Sequence, residues 1–161
     1  MAGKVGFPSL RPCAVNPTMG CMDGTGRSGS SSGRRTHTVL VVLFDGVQSL
    51  DVTGPLEVFS GVSRLLGDRG GYRVHIATLD GGAVRSSSGL LLTPDTSLPQ
   101  APRPDTLLVP GGIGTRRPDP RLIDWLRGTA PHARRVVSVC TGAFLLAEAG
   151  LLDGRRATTH W

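Results

Sequence analysis

The chain has 161 residues, 39% of them apolar and only 4% aromatic. That is enough for one domain, with a core built from Leu, Val, Ile and Ala rather than from rings. No apolar run approaches 18 residues and the N-terminus lacks the apolar stretch of a secretory signal, which argues against a membrane span or export and for a cytoplasmic protein.

The net charge of +6 is uneven: residues 1–35 hold Lys4, Arg11, Arg27, Arg34 and Arg35 against Asp23, and the rest is nearly balanced. Residues 1–37 therefore read as a disordered, basic leader rich in Gly, Ser and Arg. Such a leader could touch an anionic surface, but its composition is that of a solvated linker. The three cysteines are an odd number, so no disulfide framework is indicated. Cys13 and Cys21 lack the second Cys/His pair of a zinc site, and no metal or organic cofactor is expected.

Order is expected from Thr38 onward. Residues 39–44 form a continuous β-branched run, which predicts a strand buried on both faces and closed by an Asp45–Gly46 turn. Gly54 as N-cap, Pro55 at the first helical position and Glu57 as a capping-box partner predict a helix starting at 54. Its inward face carries Val52, Leu56, Phe59, Val62 and Leu66. Residues 72–79 read as a second strand, and residues 83–85 and 90–92 as a small hairpin around a Ser-rich turn. Residues 105–109 are another buried strand, followed by Pro110, Gly111 and Gly112. Asp119 and Pro120 open a helix to about residue 130. Residues 135–139 are a strand, 141–149 a helix stopped by Gly150, and 156–160 the start of a further strand. The alternation predicts a mostly parallel α/β sheet, flavodoxin-like, with helices on both faces. Ligand sites in such sheets lie at the carboxyl ends of the strands.

Four segments could carry chemistry, three of them at those ends. Ser138, Cys140 and Gly142 follow the pattern of a nucleophile elbow, a turn so tight that residues two before and two after the nucleophile must be small. The helix start beneath Cys140 would favour a thiolate; the alternative is an inert buried cysteine. Asp51 falls in the loop after the first strand, where it could serve as a general acid or base, or only cap the helix. The N–H groups of Gly111 and Gly112, with that of Thr141, could hold an oxyanion, although paired glycines are commonly just a turn. His160, twenty residues after Cys140, could be a base or a structural histidine. No phosphate-binding loop or dinucleotide fingerprint is present.

Residues 44–59 (Phe-Asp-Gly-Val-Gln-Ser-Leu-Asp-Val-Thr-Gly-Pro-Leu-Glu-Val-Phe), 109–112 (Val-Pro-Gly-Gly) and 137–150 (Val-Ser-Val-Cys-Thr-Gly-Ala-Phe-Leu-Leu-Ala-Glu-Ala-Gly) resemble the ThiJ/PfpI superfamily. The resemblance runs over residues 38–161 and implies a fold like that of the class I glutamine amidotransferases. It matches Cys140 to the family's elbow cysteine, Asp51 to the acidic residue that contacts it, and His160 to a histidine near it. Thr141 stands where protease-like members carry histidine, so the resemblance does not imply a peptidase. Two branches share the motifs: AraC-type transcriptional regulators, in which a helix-turn-helix domain follows, and isonitrile hydratases, which add water to an isonitrile to give an N-substituted formamide. Residues 119–161 look more like the regulator branch. The resemblance thus implies a sensor for a small-molecule effector, homodimeric, that meets DNA only through a domain absent from this chain. Family domains continue past Thr-Thr-His-Trp, so 38–161 is expected to be the N-terminal part of the domain, incomplete at its C-terminus.

Overall fold

The computed structural model describes residues 35–67 and 70–159. Apart from Arg35, Thr36 and His37, the leader lies outside the described residues, as does His160.

The centre of the fold is β1 (His37–Val42), whose Val39, Leu40, Val41 and Val42 are fully buried. Alternation along the strand sends these side chains to two cores. Leu40 and Val42 meet Leu107, Val109, Leu122, Leu126 and Leu145 on one face. Val39, Val41 and Leu43 meet Val47, Val52 and Leu108 on the other. A strand apolar at every position is the expected result of burial on both faces, and each fully buried Leu or Val stabilises by roughly 1.5–3 kcal/mol.

β2 (Tyr72–Thr78) and β6 (Thr106–Val109) pair in parallel on either side of β1. β5 (Thr96–Ser97) extends the β2 side and β7 (Arg135–Ser138) the β6 side, giving the parallel order β5-β2-β1-β6-β7. β3 (Val84–Arg85) and β4 (Leu91–Leu92) form the separate antiparallel hairpin expected from the Ser-rich turn. Two-residue β5 was not foreseen; Thr96 and Ser97 carry no run long enough to mark a strand. The chain steps outward from β1 to β2 and β5, then returns to β6 on the opposite side. Strand order therefore reverses between β1 and β6, which opens a crevice at their carboxyl ends.

α1 (Ser49–Leu66) starts six residues earlier than Gly54 as N-cap and Pro55 as first helical residue suggest, and Pro55 lies inside it. The N-cap is Gln48, in extended conformation, with its N–H bound to Gly111 O at 2.7 Å and its carbonyl accepting the Asp51 N–H at 3.1 Å. Tertiary anchoring of Gln48 to the loop after β6 fixes the helix start and outweighs the local proline signal. Glu57 is no capping-box residue: it is exposed and pairs with Arg64 at 3.9 Å. Of the expected inward face, Val52 is buried and Leu56, Phe59, Val62 and Leu66 are half-buried.

α2 (Pro120–Thr129) begins as expected, with the Asp119 side chain accepting from the Arg121 N–H at 2.8 Å and Leu122, Ile123 and Leu126 buried. α3 (Gly142–Glu148) ends before Gly150, which takes the left-handed φ of 74°. The strand expected from residue 156 does not form over residues 156–159, which run without regular pairing.

Candidate functional site

Asp51 sits in the first turn of α1, not in the preceding loop. Its carboxylate Oδ2 accepts the Gly111 N–H at 3.0 Å. A carboxylate is favoured in a first turn, where unpaired N–H groups leave partial positive charge. Here it also reaches across the crevice from the β1 side to the β6 side. The loop after β6 is held closed by further backbone contacts: Val47 bridges Gly112, and the Gly114 N–H donates to Gly46 O at 3.2 Å.

Cys140 lies between the end of β7 and the start of α3, with φ at 50°. Among the described residues it is the only non-glycine with positive φ. An L-residue in this region costs roughly 1–2 kcal/mol, so the surroundings must impose the conformation. They do so from both sides. The Val139 N–H is bound to Val109 O at 3.0 Å, and the Gly142 N–H to Val139 O at 2.9 Å. A Cβ at Gly142 would fall on the carbonyl oxygen of Val109, so only glycine lets the turn close here. The Cys140 thiol is free and half-buried.

Thr141 completes the cluster. Its Oγ1 accepts the Gly112 N–H at 2.9 Å and donates to Gly112 O at 3.3 Å. A Cβ built on Gly111 would stand 2.7 Å from Thr141 N, 2.7 Å from Thr141 Oγ1 and 2.9 Å from Asp51 Oδ2. Asp51 and Thr141 therefore converge on the bare face of Gly111, one residue from Cys140. Both glycine N–H groups are already engaged, Gly111 by Asp51 and Gly112 by Thr141. Thr141 N–H forms no hydrogen bond among the described residues and is the open donor of the group.

Sequence reasoning missed two contributors. Gln48 joins the α1 start to the loop after β6, and its Oε1 accepts the Ser87 hydroxyl at 2.7 Å, tying in the β3–β4 turn. Thr159 donates its hydroxyl to the Cys140 carbonyl. Only the Thr-Thr pair before His160 hinted at a polar anchor there.

A cavity of about 320 Å³ opens beside this cluster, at the carboxyl ends of β1 and β2. Leu43, Leu122 and Leu145 floor it, and Asp80, Arg117 and Arg121 stand at its rim. Neither Cys140 nor Asp51 lines it, so the chemistry-bearing cluster and this cavity are neighbours rather than one site. Among the described residues no group of three or more His, Cys, Asp or Glu could hold a metal ion, and no helix is long and apolar enough to cross a membrane.

Known proteins resemble much of this chain. It is 43% identical to an isonitrile hydratase of Pseudomonas putida over 122 residues, which are 74% of this chain and 50% of that protein. It is 36% identical to the HTH-type transcriptional regulator GbdR of Pseudomonas aeruginosa over 129 residues, 80% of this chain and 35% of the regulator. The crystal structure of an AraC family transcriptional regulator from Pseudomonas putida superposes with a TM-score of 0.64 at 27% identity, covering 74% of this chain and 64% of that one. The chain thus spans half the length of the hydratase and about a third of the regulator. The DJ-1/PfpI family model matches residues 37–161, and the chain belongs to the DJ-1/PfpI family.

Proposed function

We propose that residues 37–161 are the effector-sensing part of an AraC-type transcriptional regulator, with Cys140 on a nucleophile elbow as the residue that reads the effector. The observation that carries this reading is the strained Cys140 at the β7–α3 turn, locked beside the Asp51–Gly111 and Thr141–Gly112 hydrogen bonds. A conformation that costs energy and is over-determined by its neighbours is how a fold presents a side chain for function. The effector is a small molecule, the functional unit a homodimer in the cytoplasm, and DNA contact belongs to a helix-turn-helix segment outside these residues. Regulator-type relatives support this reading. The reading frame beyond Trp161 tests it: a helix-turn-helix segment supports the regulator, and a frame that only completes the α/β domain sinks it.

The hydratase relative favours a second reading, cysteine-dependent hydration of an isonitrile without a cofactor. The Cys140 sulfur would bond to the terminal isonitrile carbon while that carbon takes a proton, giving a thioimidate. Water would then add to the same carbon, the nitrogen would take a proton, and the C–S bond would break to release the N-substituted formamide. Asp51 would shuttle the protons, and His160 would be a second base near the sulfur. Formamide production from a simple alkyl isonitrile, absent in Cys140→Ala, supports this reading; ligand binding without turnover supports the sensor.

A further inference from the structure

We propose that Thr159 is a positioning residue that aims the Thr141 N–H at the reaction centre; the inference rests on Cys140 being the nucleophile. The Cys140 carbonyl and the Thr141 N–H belong to one peptide group. That group is trans, as are all peptide bonds among the described residues, so carbonyl and N–H point in opposite directions. Fixing one end of the plane fixes the other.

Thr159 fixes the carbonyl end by donating its hydroxyl to Cys140 O. The peptide needs such a hold because no backbone N–H among the described residues donates to the Cys140 carbonyl. At the other end, Thr141 N lies 2.7 Å from the empty Cβ position of Gly111, and its N–H forms no hydrogen bond among the described residues. The neighbouring N–H groups of Gly111 and Gly112 are committed to Asp51 Oδ2 and Thr141 Oγ1. Of these three N–H groups only that of Thr141 is open to an oxyanion formed at Cys140, and its direction depends on a side chain eighteen residues away.

The test compares two reactions of the Cys140 thiol in the full chain, each corrected by the rate of Cys140→Ala. Acylation by p-nitrophenyl acetate forms a C–S bond, passes through a tetrahedral oxyanion and expels p-nitrophenolate. Alkylation by iodoacetamide forms a C–S bond and expels iodide with no oxyanion. Thr159→Val keeps the shape and removes the donor; Thr159→Ser keeps the donor; Thr159→Ala is a second donor-free variant should the valine fail to fold. A preorganised oxyanion donor accelerates by roughly 10²–10³, so misaiming one should cost acylation at least about tenfold. The expected result is that loss in Thr159→Val and Thr159→Ala, near-normal acylation in Thr159→Ser, and alkylation within about twofold throughout. Unchanged acylation in the donor-free variants, an equal fall in both reactions, or no rescue by serine overturns the proposal. Wild-type acylation no faster than Cys140→Ala overturns instead the nucleophile reading beneath it, and the proposal with it.

Discussion

Asp51 on α1 and Gly111 after β6 are joined through Oδ2 and N–H at 3.0 Å, across the point where strand order reverses. The Gly111 carbonyl accepts the Gln48 N–H, and the Gln48 carbonyl accepts the Asp51 N–H. The three residues close a ring of hydrogen bonds. The same contacts that start α1 also seat the carboxylate beside Thr141. Helix initiation and site assembly are one event in this fold.

The ring separates the structural role of Asp51 from its chemical one. Asparagine retains an acceptor for the Gly111 N–H but loses the charge. Leucine loses both and leaves that N–H without its partner. Asp51→Leu is expected to lower unfolding free energy by about 1–3 kcal/mol, and Asp51→Asn by clearly less. Urea denaturation of the two variants measures the difference. Isonitrile turnover, where present, should fall in both.

Gly111 and Gly128 should respond to alanine with opposite signs. A Cβ at Gly111 meets Thr141 N, Thr141 Oγ1 and Asp51 Oδ2 at 2.7–2.9 Å, so Gly111→Ala must push the cluster apart. The expected cost is about 1–3 kcal/mol, together with slower acylation of Cys140. Gly128, inside α2, has nothing within 4 Å of its Cβ position. Gly128→Ala should stabilise by roughly 0.5–1 kcal/mol, because alanine loses less backbone entropy in a helix. Thermal melts of both variants decide it.

The left-handed conformation of Cys140 makes a second pairwise prediction. Glycine pays no steric penalty at φ 50° and alanine does. Cys140→Gly should therefore be more stable than Cys140→Ala by about 1 kcal/mol, whereas at an ordinary strand end the order reverses. Equal stability of the two variants would show that the turn relaxes once the thiol is gone.

Much of this arrangement could be read from residues alone. The run from Val39 to Val42 announces a two-faced strand because every position is apolar, and Asp119 with Pro120 announces α2 because capping is a local property. Cys140 and Gly142 marked a tight turn between β7 and α3, and at Gly142 the close approach of the Val109 carbonyl admits only glycine. Pro55 misled because its first-turn preference is a local rule, while the start of α1 is set by Gln48 binding a loop more than sixty residues away. Thr159 and Ser87 were illegible for the same reason. A hydroxyl that anchors a distant carbonyl or amide leaves no periodicity in its own segment. The strand expected beyond residue 156 shows the converse, since β-branched residues there do not pair over 156–159.

The N-terminal edge of the sheet yields a prediction about pH. Asp105, just before β6, accepts the Thr38 N–H at 2.8 Å, pairs with Arg35 at 3.0 Å and faces His37 Nδ1 at 3.6 Å. The Thr38 hydrogen bond is the main cause holding its carboxyl below the ordinary value of 3.8; burial opposes it, and the charges of Arg35 and His37 add to the lowering. A folded-state value below the unfolded one means that the unfolded chain binds the proton first as pH falls. The contribution of Asp105 is therefore complete above pH 3.8 and lost as pH drops through the lower folded value. Asp105→Asn keeps an acceptor for Thr38 but cannot titrate. Its stability deficit against the wild type should be largest near neutral pH and should shrink as pH falls below 3.8. Urea midpoints at pH 7, 4 and 3 measure this directly. A deficit that stays constant over that range would mean that Asp105 acts through hydrogen-bond geometry alone, with no contribution from its charge.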